Sequence, residues 1–159
     1  MILLKSPTQV DKIKKACKIV TKALDLLQSE IRCGVTTEEL DRKASDFIRS
    51  KRARPSFKGY RGYPANICTS INEELVHGIP SKRALKETDI ISIDVGVELD
   101  GFYGDAAKTF KVTGKVPQEA KNLIDVTYKS LELGIKEAKA GNRLFDISYA
   151  IQSFVESKH

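Results

Sequence analysis

The sequence predicts an α+β domain, a small antiparallel sheet with helices segregated against one of its faces. Three observations carry this. Apolar residues recur at spacings of three and four near both ends of the chain, whereas period-two alternation is confined to its middle. Asp100-Gly101, the favoured pair for a two-residue hairpin turn, sits at the centre of that alternation. The resulting element order is α-α-β-β-β-α-α.

The first helix is announced by Ser6 and Gln9 as a capping box, with Pro7 at the first helical position. Val10, Ile13, Cys17, Val20, Leu24, Leu27 and Ile31 follow as an apolar stripe, and Gly34 ends the segment. Thr36 with Glu39 is a second capping box, opening a helix to about residue 50 with Leu40, Ala44, Phe47 and Ile48 inward. A loop runs through Pro55, Gly59, Gly62 and Pro64. Residues 65–71 read as a strand, 72–74 as a turn, and 75–77 as a short extended piece before the charged connector 81–89. The hairpin comes next. Pro117 opens a third helix to about residue 140, Gly141-Asn142 breaks it, and a fourth covers 144–157.

With 159 residues, 41% of them hydrophobic, the chain can build one core and is short for two domains. No apolar run reaches the roughly 18 residues of a membrane span. The start, MILLKSPTQ, lacks the parts of a signal peptide. Three cysteines without CxxC spacing fit reduced thiols in the cytoplasm, and exclude a disulfide framework or zinc knuckle. The net charge is +6. Its densest basic stretch, 49–61, interleaves cations with Phe57 and Tyr60, as single-stranded nucleic-acid surfaces do. A recognised RNA-binding motif is missing there, and a solvated loop is the simpler reading. GxSxG, HExxH and a phosphate loop are also absent.

Centring the hairpin on Asp100-Gly101 pairs Leu99 with Phe102, Val97 with Gly104, Gly96 with Asp105, and Asp94 with Ala107. One face then carries Ile93, Val95, Val97, Leu99, Phe102, Gly104, Ala106 and Phe110, with Lys108 the misfit. The other carries Ser92, Asp94, Gly96, Glu98, Tyr103, Asp105, Ala107 and Thr109. Asp94 and Asp105 become diagonal neighbours, roughly 7–8 Å apart at the backbone, with small residues around them. Two converging carboxylates repel unless a cation lies between them, so the platform suits one divalent metal or a pair. An exposed polar face without a ligand stands as the alternative.

His77, in LVHGIP, is placed for hydrogen bonding to a substrate carbonyl or for proton transfer; bonding to nearby backbone would also account for it. His159 has no assigned role. Tyr60, Tyr63, Phe57 and Cys68 form an aromatic, sulfur-containing group near the start of the sheet. They read either as packing or as a pocket for an unbranched or sulfur-containing side chain.

PSFKGYRGYPANICTSINEELVHGIP followed by DIISIDVGVELDGFYGDAAKTF resembles the N-terminal half of type I methionine aminopeptidases, the pita-bread metallohydrolases, over essentially the whole chain. The resemblance implies half of a pita-bread fold and metal-dependent removal of the initiator methionine, with two divalent ions (Co, Mn, Fe or Zn) in the complete enzyme. It makes Asp94 the carboxylate chelating one metal and Asp105 the one bridging both. His77 would contact the substrate near the scissile amide. Tyr60, Tyr63, Phe57 and Cys68 would line the methionine pocket, Phe57 standing where some relatives have cysteine.

In that family the second half adds a metal-binding histidine, a second substrate-contacting histidine and two glutamates. The expectation is therefore a single domain of residues 1–159, the N-terminal half of the catalytic domain, inactive by itself without the C-terminal half. Implied partners are nascent polypeptide N-termini and the ribosome, with no membrane, in the cytoplasm. Ile2 is large, so the family rule leaves Met1 in place. Two rivals are an Xaa-Pro dipeptidase-like hydrolase and a non-catalytic relative that binds RNA or the ribosome.

Overall fold

Helix α1, Pro7–Glu30, begins where its capping box predicts: the Gln9 N–H donates to Ser6 Oγ at 3.3 Å, and the Ser6 N–H donates to the Gln9 side chain at 2.8 Å. Helix α2, Thr37–Ser50, repeats the arrangement with Thr36 and Glu39. Both boxes satisfy backbone N–H groups that a helix start leaves free. The computed structural model describes residues 3–158. Met1, whose retention the sequence predicts, with Ile2 and the chain-end His159, lies outside the described residues. The chain divides into two compact units, Met1–Val116 and Pro117–His159.

The first unit holds a four-stranded antiparallel sheet: β1 (Arg54–Pro55), β2 (Cys68–Ile71), β3 (Ile90–Leu99) and β4 (Phe102–Lys111). Along β3, all ten residues pair with β4, so β1 and β2 share its other edge. The β3–β4 register is the expected one, from Ile90 opposite Lys111 to Leu99 opposite Phe102. Asp100 and Gly101 take φ of 53° and 79°, the left-handed pair that a tight hairpin turn needs. A single 3-10 turn, Tyr60–Gly62, interrupts the loop before β2.

Three expectations need correction. The strand read at 65–71 begins only at Cys68. The Asn66 and Ile67 N–H groups instead donate to Asp41 Oδ1 on α2, at 2.8 and 3.0 Å, so a side chain replaces the ladder there. Residues 75–77 form no strand, and His77 adopts a φ of 58°. In α1 the buried line is Ala16, Val20, Ala23, Leu24 and Leu27, while Cys17 and Val10 are exposed. The reason is Gly104. A Cβ there would lie 2.6 Å from the Cys17 nitrogen and 2.8 Å from the Ala16 carbonyl carbon. The helix backbone thus rides directly on the strand, and alanines occupy the line of closest approach.

The core lies between α1, α2 and the predicted apolar sheet face, with Leu27, Leu40, Ile48, Ile67, Ile71, Ile91, Ile93, Val95 and Val97 almost wholly buried. Lys108, the misfit on that face, escapes it. Its ammonium donates to the Gln28 side chain at 3.0 Å and lies 5.1 Å from the Phe110 ring centre.

The second unit is a helical hairpin of α3 (Gln118–Glu137) and α4 (Leu144–Glu156). Gly134 allows close packing, because a Cβ there would meet Ile151 at 2.8 Å. Leu144, Phe145 and Tyr149 of this hairpin stay exposed. No described helix is long and apolar enough to cross a membrane.

Candidate functional site

The polar sheet face is assembled from strand registers. Asp94 has Cys68 opposite it on β2 and Ala107 opposite on β4, so Cys68, Asp94 and Ala107 form one row on the same face. Gly96 and Asp105 form part of the next row, and Ser70, Ser92 and Thr109 the row on the other side. The Ser92 and Thr109 hydroxyls satisfy each other at 2.8 Å.

Asp94 is half-buried, and its Oδ1 is buried with no hydrogen-bond partner among the described residues. Burial pushes its carboxyl up from 3.8 to about 6, helped by the Asp105 carboxylate beside it. His77 and the Val95 N–H pull the other way, which places the His77 imidazole within electrostatic reach of Asp94. An unsatisfied buried oxygen in a repelling carboxylate pair is what a divalent cation would relieve, so the donor chemistry fits a hard or borderline metal. Two oxygen donors are a partial set. Among the described residues, no group of three or more His, Cys, Asp or Glu side chains is placed to hold a metal ion.

Phe57 covers part of this face. A Cβ built on Gly96 would run into the Phe57 ring and Ser56 Oγ, so the absent side chain of Gly96 is what admits the ring beside the carboxylates. The Ser56 N–H donates to the Gly96 carbonyl at 3.0 Å, fixing that approach. Cys68 is buried next to Tyr63; burial pushes its thiol up, Tyr63 opposes that, and Asp94 and Asp105 add to the rise. It is therefore a neutral thiol at physiological pH. Burial likewise raises the Tyr63 hydroxyl, which keeps its proton and faces the carbonyls of Gly78 at 3.0 Å and Ile67 at 3.1 Å.

Tyr60 is 64% exposed, and its ring is accompanied by Arg61, whose guanidinium lies 5.5 Å from the ring centre. No described contact joins it to the carboxylate pair. His77 is exposed in a segment whose Leu75, Val76 and Ile79 also face solvent. Its left-handed backbone costs a non-glycine residue about 1–2 kcal/mol.

Sequence reasoning did not find Asp41, Ser70 or Gly78, on which this geometry depends. Asp41 binds Asn66 and Ile67, and so fixes where β2 starts. Gly78 has no room for a side chain, because the Thr69 carbonyl occupies the Cβ position. A glycine in HGIP is a visible signal for such a close approach, whereas Asp41 has none, looking like any polar residue of an amphipathic helix.

A model of metallopeptidase family M24 matches residues 11–159. The chain is 53% identical to the methionine aminopeptidase of Clostridium acetobutylicum, over 99% of this chain and 63% of that protein. Its fold superposes on the methionine aminopeptidase of Rickettsia prowazekii with a TM-score of 0.96 at 40% identity, covering 99% of this chain and 63% of that one. An Xaa-Pro dipeptidase from Bacillus anthracis gives a TM-score of 0.87 at 22% identity, covering 98% of this chain and 42% of that one, a likeness of fold alone. The chain thus spans less than two thirds of the length of each of these three proteins.

Proposed function

We propose, from the premise that this chain belongs to metallopeptidase family M24, that it carries the N-terminal portion of a methionine aminopeptidase catalytic domain. Its work there is the metal-dependent removal of the initiator methionine from nascent polypeptides, in the cytoplasm and near the ribosome. The observation that carries this reading is the convergence of Asp94 and Asp105 beside an orphaned carboxylate oxygen. The 53% identity to a methionine aminopeptidase favours it over the Xaa-Pro and RNA-binding alternatives.

Asp94 and Asp105 would hold two divalent ions, which when bound supply carbonyl polarisation and a water of lowered pKa. His77 would reach the substrate near the scissile amide and hydrogen-bond its polar atoms. Phe57, Tyr63 and Cys68 would offer an apolar, uncharged wall beside the carboxylates, suited to an unbranched thioether side chain, which the exposed Tyr60 would join on substrate binding. Further ligands from residues outside this chain would complete the centre, in keeping with the partial donor set.

Calorimetric titration with Mn²⁺ tests the half-site, and weak binding lost in Asp94→Asn and Asp105→Asn is expected. The isolated chain is expected to leave Met-Ala-Ser uncleaved. The same chain, completed with the remainder of the Clostridium relative, should cleave Met-Ala-Ser but not Ala-Pro. Cleavage of Ala-Pro alone would overturn the assignment.

A further inference from the structure

His77 makes no hydrogen bond of its own among the described residues, yet its backbone is held at a φ of 58°, in the left-handed region that favours glycine. Its place is set by the residue after it. The Gly78 N–H donates to Ser70 Oγ at 3.2 Å. The Gly78 carbonyl accepts from the Thr69 N–H at 2.9 Å and from the Tyr63 hydroxyl at 3.0 Å. The absent Gly78 side chain lets this backbone lie against Thr69. A sparsely populated conformation persists only where its surroundings over-determine it, and here three hydrogen bonds do so one peptide away.

We propose that Tyr63, with Ser70, is a positioning residue for His77, clamping Gly78 so that the imidazole is presented to the Asp94/Asp105 pair. Tyr63 suits the task because its hydroxyl also lies 3.1 Å from the carbonyl of Ile67, whose N–H is held by Asp41. Helix α2, the start of β2 and the His77 segment are thereby joined through one phenol. Ser70 suits it because its row lies next to that of Asp94 and Cys68, one strand from Asp94. This inference rests on the proposed function for the meaning of His77, but the clamp itself is independent of it.

The test uses the 159-residue chain, its Tyr63→Phe and Ser70→Ala variants, and Mn²⁺ alone as probe. Only two histidines are present, so the imidazole NMR signals of His77 are assigned by comparison with His159→Ala. In each variant, amide hydrogen exchange at Thr69 and Gly78 is expected to rise about tenfold, the scale of one hydrogen bond, while amides of β3 and β4 stay unchanged. Mn²⁺ is expected to broaden the His77 ring signals in the parent, and several-fold less in the variants at equal Mn²⁺ occupancy. Unaltered exchange at Thr69 and Gly78 overturns the clamp, and so does a uniform rise through β3 and β4, which would make Tyr63 a general support of the fold. Failure of Mn²⁺ to bind the parent would instead overturn the metal reading of the carboxylates, leaving exchange to decide the clamp.

Discussion

Asp94 and Asp105 are diagonal neighbours across the β3–β4 ladder, Asp94 opposite Ala107 and Asp105 opposite Gly96. Neither ladder partner offers a side chain that could neutralise them. The charge of this pair, and its relief, should govern how the protein responds to pH and to divalent ions.

The Asp94 carboxyl is raised from 3.8 to about 6 in the fold. A folded-state value above the unfolded one means the native state holds the proton more tightly. That contribution to stability is complete below about pH 4 and is lost as pH rises through about 6. Allowing for solvent screening of a half-exposed group, it amounts to about 1 kcal/mol. Thermal unfolding without metal should show this loss between pH 4 and 7, and Asp94→Asn should abolish it. Millimolar Mn²⁺ at pH 7.5 should raise the melting temperature of the parent but not of that variant.

Gly104→Ala should destabilise the chain by about 1–3 kcal/mol, because the new methyl meets the backbone of α1, which cannot rotate away as a side chain could. Gly114, with open space at its Cβ position, provides the control, and Gly114→Ala should change stability by less than about 0.5 kcal/mol. Urea unfolding of the two variants decides the point.

Asp41→Ala removes the carboxylate that accepts the Asn66 and Ile67 N–H groups and the Asn66 side-chain amide. Asn66 and Ile67 are buried, so an unmet donor there should cost about 1–3 kcal/mol. The loss should appear in urea unfolding, with faster amide exchange at Ile67.

The three cysteines should divide two to one in a thiol-reagent assay near pH 8. Cys17 and Cys33 are exposed and should react at once, whereas Cys68 is buried and its thiol is pushed up. Unfolding in urea should release the third thiol. Three thiols reacting together in the native protein would contradict the burial of Cys68 under Tyr63.

Local chemistry was legible where neighbours in the sequence are neighbours in space. The capping boxes at Ser6 and Thr36, the Asp100-Gly101 turn and the resulting diagonal of Asp94 and Asp105 all follow from interactions spanning a few residues or from one turn fixing a register. The SINEELVHGIP segment and the hairpin carrying Asp94 and Asp105 pointed to the family for the same reason, since a motif is local. Tertiary structure alone decided the rest. Asp41 reaches across 25 residues to stop β2 short, Gly104 draws α1 down and rotates its buried line, and Tyr63 and Ser70 fix His77 through Gly78. Contacts between distant segments depend on how closely backbones approach, and neither periodicity nor propensity encodes that distance.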